Sequence, residues 1–113
     1  MLEPVYAVLD LETTGLDRNE DRIIQVGILK VKNDEITPWM TFVNPLKSRD
    51  SQLKAFKVHK ISPDILLFKK PFKKVAPELR KFLEDVEYVV CYIAYLTGVF
   101  WWQSLAGFKK RPK

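Results

Sequence analysis

The sequence predicts an α/β domain built on a mixed sheet, with its elements in the order β-β-β-α-β. Three features carry that prediction. Runs rich in Val, Ile, Leu and Thr occupy 5–12, 22–32 and 35–43. A stretch with helical spacing lies within 71–85. A further apolar run, "EYVVCYIAYL" (87–96), follows it. Strands on both sides of a helical crossover are the pattern of α/β domains. The 113 residues suit one domain with a modest core, and 47% of them are apolar, which excludes a disordered chain.

In "VYAVLDLETTGL" (5–16), Val5, Ala7, Leu9 and Leu11 share one face, and Tyr6, Val8, Asp10 and Glu12 share the other. Both faces begin apolar, so a central strand buried on both sides is expected, ended by Thr13-Thr14-Gly15. "RIIQVGILKVK" (22–32) and "EITPWMTFV" (35–43) form a hairpin across Asn33-Asp34, residues that tolerate positive φ. Pro38 withholds a ladder donor, which places the third strand at an edge or on a bulge. Residues 46–61 read as a basic, irregular connection with room for a short helix. Ser62-Pro63-Asp64 has the form of a helix start: cap, proline, then an acid in the first turn. Within 71–85, Phe72, Val75, Leu79, Phe82 and Leu83 fall on one face, and Pro77 either kinks the helix or marks its start.

Composition narrows the setting. The single cysteine, Cys91, rules out an internal disulfide, and "MLEPVYAV" has an acid where a secretion signal wants basic residues. A cytoplasmic protein is expected. The net charge of +5 is uneven: −4 over 1–35, +8 over 36–81 and +1 over 82–113. Lys69, Lys70, Lys73 and Lys74 cluster before the main helix, and Lys109, Lys110, Arg111 and Lys113 lie at the end of the sequence. An acidic first third beside a basic middle suits metal binding next to a polyanion; it equally suits a solvated, lysine-rich surface.

Asp10 and Glu12 are two apart on a strand, so they point to the same face, at the strand's C-terminal end. Two like charges so close need a cation or hydrogen bonds. Hard oxygen ligands suit Mg²⁺ or Mn²⁺. The alternative is one acid capping a loop and the other solvated at the strand end.

The wider pattern adds to this. "DLETTGL", "RIIQVGILKV", "TFVNP", "KVHKISPDIL" and "APELRKFL" occur in an order that resembles the DEDD 3′–5′ exonucleases, the group that includes the proofreading epsilon subunit of bacterial DNA polymerase. The resemblance covers about residues 4–90. It implies an RNase H-like fold and hydrolysis of the terminal phosphodiester at a DNA or RNA 3′ end. Asp10 and Glu12 would match the first two catalytic, metal-binding carboxylates of a two-metal site holding Mg²⁺ or Mn²⁺. Glu12, Thr13, Thr14, Gly15 and Leu16 would cradle the last nucleotide, with Gly15 permitting a tight turn. His59 would match the histidine of the family's His-Gly-Ile segment, near that nucleotide, although Lys60 stands where the glycine would be. Gln25 stands where many relatives have Glu and is given no catalytic role. A DNA polymerase subunit is an implied partner.

The pattern departs from the family after about residue 90. On the family's His-Asn-x-x-Phe-Asp motif, Tyr92 and Ile93 fall on the His-Asn positions and Thr97 on the Asp, and no third motif follows. The sequence thus reads as a truncated copy: the N-terminal part of an exonuclease domain over 1–90, then a divergent tail over 91–113, first apolar and then basic. A weak or inactive nuclease is expected of this chain, with a non-catalytic nucleic-acid-binding or polymerase-associated remnant as the alternative. Three explanations of the tail stay open. One is a broken reading frame near residue 90. A second is a membrane anchor, since 88–108 holds no charge over 21 residues, against which stand Gln103, Ser104 and two glycines. The third is a short helix packing Phe100, Trp101 and Leu105 on the sheet. The glycines and polar residues weigh against a membrane partner.

Overall fold

The computed structural model describes residues 3–17 and 19–91. Seven elements follow in order: β1 (Tyr6–Thr13), β2 (Ile23–Lys32), β3 (Glu35–Phe42), α1 (Arg49–His59), α2 (Pro63–Leu66), α3 (Phe72–Phe82) and β4 (Tyr88–Cys91). The strands form one mixed sheet in the order β3-β2-β1-β4. β1 runs antiparallel to β2 and parallel to β4, so the three helices make the crossover that a parallel return requires. The expected α/β arrangement is present, enlarged by α1 and α2.

The β2–β3 hairpin turns at Asn33 and Asp34, with φ of 51° and 66°. These are the positive values a two-residue primed turn needs. Pro38 lies on β3, the outer strand, where a missing N–H is least costly. The β1–β2 ladder slips once. Glu12 pairs with Gln25 and Thr13 with Ile23, leaving Ile24 as an extra residue on β2. That bulge lets the neighbours Ile23 and Ile24 both be buried, which strict alternation forbids.

The core lies between one sheet face and α3. Ala7, Leu9, Val26 and Ile28 meet Val75, Ala76, Leu79 and Leu83, with Phe72 and Phe82 packed at the margin. Deleting a side chain as buried as Leu79 costs about 2–5 kcal/mol. Pro77 sits inside α3, which starts five residues earlier at Phe72, so the proline does not mark the helix start. β1 is central, as expected, but it is not buried on both sides: Val8 is 39% exposed, and Leu29, Met40, Tyr88 and Val90 are exposed on the sheet too.

α1 is longer than a basic, irregular connection implies. Its apolar residues do not gather on one face: only Gln52 is buried, and Leu53 and Val58 are exposed. Its ends hold it instead. Ser48 accepts from the Ser51 amide, Gln52 Nε2 donates to the Lys47 and Ser48 carbonyls, and Lys60 closes the helix in the left-handed region at φ 63°. Ser62 caps α2 by accepting from the Asp64 amide, with Pro63 at the first turn. The expected fourth strand extends to 96; its observed part ends at Cys91, and 92–96, with Tyr92, Ile93, Thr97, the 88–108 apolar stretch beyond 91 and the basic end, lie outside the described residues.

Candidate active site

β1 delivers Asp10 and Glu12 to one face of the sheet, two residues apart near its C-terminal end. Asp10 is exposed and Glu12 half-buried. Across the ladder, Asp10 faces Gly27 and Glu12 faces Gln25. The missing side chain at Gly27 leaves a shallow apolar depression of about 250 Å³ beside Asp10, bounded by Val8, Leu29, Pro38 and Met40. Among the described residues, no lysine or arginine pairs with either carboxylate. Burial pushes the Glu12 carboxyl above its ordinary range, and the Asp10 charge adds to the rise. A carboxyl held this way gains from an outside cation. Two carboxylates are nevertheless a short ligand set, because Mg²⁺ takes about six oxygens. No group of three metal-ligating side chains occurs among the described residues. The pair fits one divalent ion whose other ligands come from water or a phosphate.

The bulge at Ile24 releases the chain from the ladder after Thr13, and a small hydrogen-bonded loop follows. Thr13 Oγ1 donates to the Gly15 carbonyl at 2.6 Å. Thr14 is buried; its hydroxyl donates to Asp21 Oδ1 at 2.7 Å and accepts from the Arg22 amide at 3.0 Å. The other oxygen of Asp21 accepts from the Asp17 amide at 2.8 Å. Gly15 is needed here for space. A Cβ on Gly15 would lie 2.5 Å from Asp21 Oδ2. Leu16 is 76% exposed. The Gly15 and Leu16 amides donate to no acceptor among the described residues.

His59 ends α1, on another element. Its Nδ1 accepts from the Ile61 amide at 2.9 Å, which assigns the proton to Nε2. Nε2 is buried without a partner, and burial lowers the pKa of the ring. Among the described residues no hydrogen bond joins His59 to the 10–16 segment. Lys60 adopts the left-handed conformation that glycine takes at low cost, so the residue change leaves that turn in place at a strain of about 1–2 kcal/mol. Lys69, Lys70, Lys73 and Lys74 are exposed, with Lys70 paired to Glu78 at 3.7 Å.

Asp21 is the residue that sequence reasoning passed over. An acid in a polar loop carries no signal by itself. The usable clue is the glycine six positions earlier, whose missing side chain marks a close approach.

A family model described as "RNase_T: Exonuclease" matches residues 7–111. The chain belongs to this exonuclease family. The resemblance read from the motifs to the DEDD group is therefore right at family level. Relatives of this chain include a DNA polymerase III PolC-type of Thermotoga maritima, 36% identical over 84 residues. Another is the DNA polymerase III subunit epsilon of Rickettsia prowazekii, 35% identical over 86 residues. Each alignment covers 74% of this chain, but only 6% of the first relative and 37% of the second. The chain thus spans well under half of these relatives. Among solved structures, E. coli exonuclease I in complex with an oligonucleotide superposes with a TM-score of 0.74 at 15% identity, covering 91% of this chain and 24% of that one. The zinc-bound form of its single-stranded DNA complex gives a TM-score of 0.76, also at 15% identity, over 91% of this chain and 23% of that one. The RNase H-like fold expected from the sequence is the fold observed.

Proposed function

We propose that the chain carries a 3′–5′ exonuclease site, hydrolysing the terminal phosphodiester at a nucleic-acid 3′ end. The observation that carries this reading is the Asp10–Glu12 pair. Two carboxylates share one face at the end of β1 with no cationic side chain beside them among the described residues, in a chain of an exonuclease family. Asp10 and Glu12 would hold Mg²⁺ or Mn²⁺. Divalent ions at such a site lower the pKa of an attacking water and stabilise the departing 3′ oxygen. Thr13 to Leu16 would receive the terminal nucleotide, with the Gly15 and Leu16 amides as donors. His59, which the family pattern would set near that nucleotide, carries its proton on the enclosed Nε2 and would not act as the base.

We further propose that these 113 residues alone are weak or inactive. The motifs that carry the reading lie within 1–90, while the family match runs on to 111, and Tyr92, Ile93 and Thr97 stand where the family's second motif supplies His, Asn and Asp. Among the described residues no third side chain joins the two carboxylates as a metal ligand, and the chain's single histidine, His59, lies on another element and is not placed to serve as general base. A second reading, a non-catalytic nucleic-acid-binding or polymerase-associated protein, is favoured by the same gap and by the polymerase III names of the relatives. Both readings place the protein in the cytoplasm with nucleic acid and a polymerase as partners. Among the described residues no helix is long and apolar enough to cross a membrane.

A 5′-labelled oligonucleotide incubated with Mg²⁺ or Mn²⁺ tests this. Slow, metal-dependent, stepwise shortening that Asp10→Ala abolishes is the result expected of a weak enzyme. Salt-sensitive binding without shortening would select the second reading. Rapid shortening would refute the proposed weakness.

A further inference from the structure

We infer that Asp21 is a positioning residue that sets the Thr14–Asp17 loop for the 3′-terminal nucleotide, an inference that rests on the exonuclease reading. One carboxylate spans the whole loop. Oδ1 takes the hydroxyl of buried Thr14 and Oδ2 takes the Asp17 amide, so the segment between them is held at both ends. Thr14 in turn ties to the residue just before β2: its amide donates to the Arg22 carbonyl at 2.9 Å and its hydroxyl accepts from the Arg22 amide. Asp17 is fixed as well, with its side chain accepting from the Asn19 and Glu20 amides. The carboxylate of Asp21 fills the space beside Gly15 so closely that no side chain fits there. What stays outside this network is the pair of backbone donors at Gly15 and Leu16. They follow Glu12 by three and four residues, and their geometry relative to the Asp10–Glu12 pair is set by Asp21 without its touching either carboxylate through a hydrogen bond. A polar loop of this size orders its donors only when something fixes it, and ordered donors bind without a further entropic cost.

The sequence offers two ways to test this, both with the full chain. The first uses thymidine 5′-monophosphate with Mg²⁺, followed by amide shifts, beside Mn²⁺ alone, followed by paramagnetic broadening. Asp21→Ala should weaken nucleotide binding about tenfold while Mn²⁺ affinity stays within about twofold. Asp21→Asn has one oxygen for two donors and should fall between Ala and wild type. Nucleotide binding unchanged in Asp21→Ala, or nucleotide and Mn²⁺ lost in parallel, would overturn the assignment. If Asp21→Ala fails to fold, Asp21→Asn carries the same comparison. The second way needs no ligand. Gly15→Ala should lower the melting temperature in wild type, where the new methyl meets the Asp21 carboxylate, and should do so far less in an Asp21→Ala background. Equal losses in both backgrounds would show that Asp21 does not constrain the loop. Should wild type bind no nucleotide, the exonuclease reading fails at the first measurement, and the second still decides whether Asp21 holds the loop.

Discussion

The sheet carries carboxylates near both ends of β1 and treats them in opposite ways. Beside the start of β1, Asp85 accepts from Lys32 at 2.8 Å and Lys30 at 2.9 Å, and these bonds hold its carboxyl down at about 2. At the far end, Asp10 and Glu12 share a face with no cation beside them among the described residues, and burial with the Asp10 charge pushes Glu12 up. Like groups in one small domain thus shift in opposite directions. The difference is in who supplies the countercharge. At Asp85 the fold supplies it and gains stability; at Glu12 the fold leaves it out, which is how sites that take a metal or a reactive phosphate are built.

Removing Lys30 should disturb the paired end most. Its ammonium donates to the Phe82 carbonyl at 2.8 Å and lies 4.5 Å from the centre of the Phe82 ring, besides pairing with Asp85. Lys30→Ala is expected to cost about 1–2 kcal/mol in urea unfolding, since it strands a carbonyl and removes a cation from an aromatic face. An unchanged midpoint would mean that pairing at this end adds nothing.

Asp85→Asn should cost less, on the order of 0.5 kcal/mol, because the carboxylate is 36% exposed and solvent and salt screen it. The sign follows from the direction of the shift. The folded carboxyl lies below its ordinary 3.8, so the ion pairs stabilise above that pH and are lost as pH falls towards about 2. Melting temperatures of wild type and variant should differ at pH 7, converge near pH 2 and draw together at high salt. A difference that persists at pH 2 would point to packing instead.

The smallest effect, of opposite sign, is expected at the unpaired end. The Glu12 carboxyl lies above its ordinary 4.5 when folded, so its ionisation opposes folding, and the penalty grows as pH rises through that range. Glu12→Gln should therefore melt slightly above wild type at pH 7 without metal, and no higher at pH 3.5. Added Mn²⁺ should reverse the order by stabilising wild type alone. A variant less stable than wild type in metal-free buffer would erase the contrast between the two ends.

Much of this contrast was open to the sequence on one side only. Asp10 and Glu12 announce themselves by their spacing on a strand, and the hairpin, the Ser62 cap and the apolar face of α3 follow from period and turn chemistry. Asp85 and its lysines gave no signal, because Lys30 and Lys32 meet it across more than fifty residues of chain. α1 was legible only as room for a short helix within 46–61, because it is held by capping and by Gln52, not by an apolar stripe, so periodicity could not give its length. The adjacent Ile23 and Ile24 break the alternation of β2, and that break was the visible trace of the bulge. The expectation of burial on both faces of β1 took apolar residues at Tyr6 and Val8 as evidence of cover, whereas apolar side chains are common on protein surfaces.

The half-buried ring of His59, with its Nε2 enclosed, has a consequence for the charge of the whole molecule. It is the chain's single histidine, and burial keeps it from taking up a proton until the medium is more acidic than imidazole normally requires. No imidazole therefore adds to the net charge of +5 through neutrality. Adhesion to a polyanion should then change less between about pH 6.5 and 7.5 than an ordinary imidazole would make it, leaving ionic strength as the stronger dial.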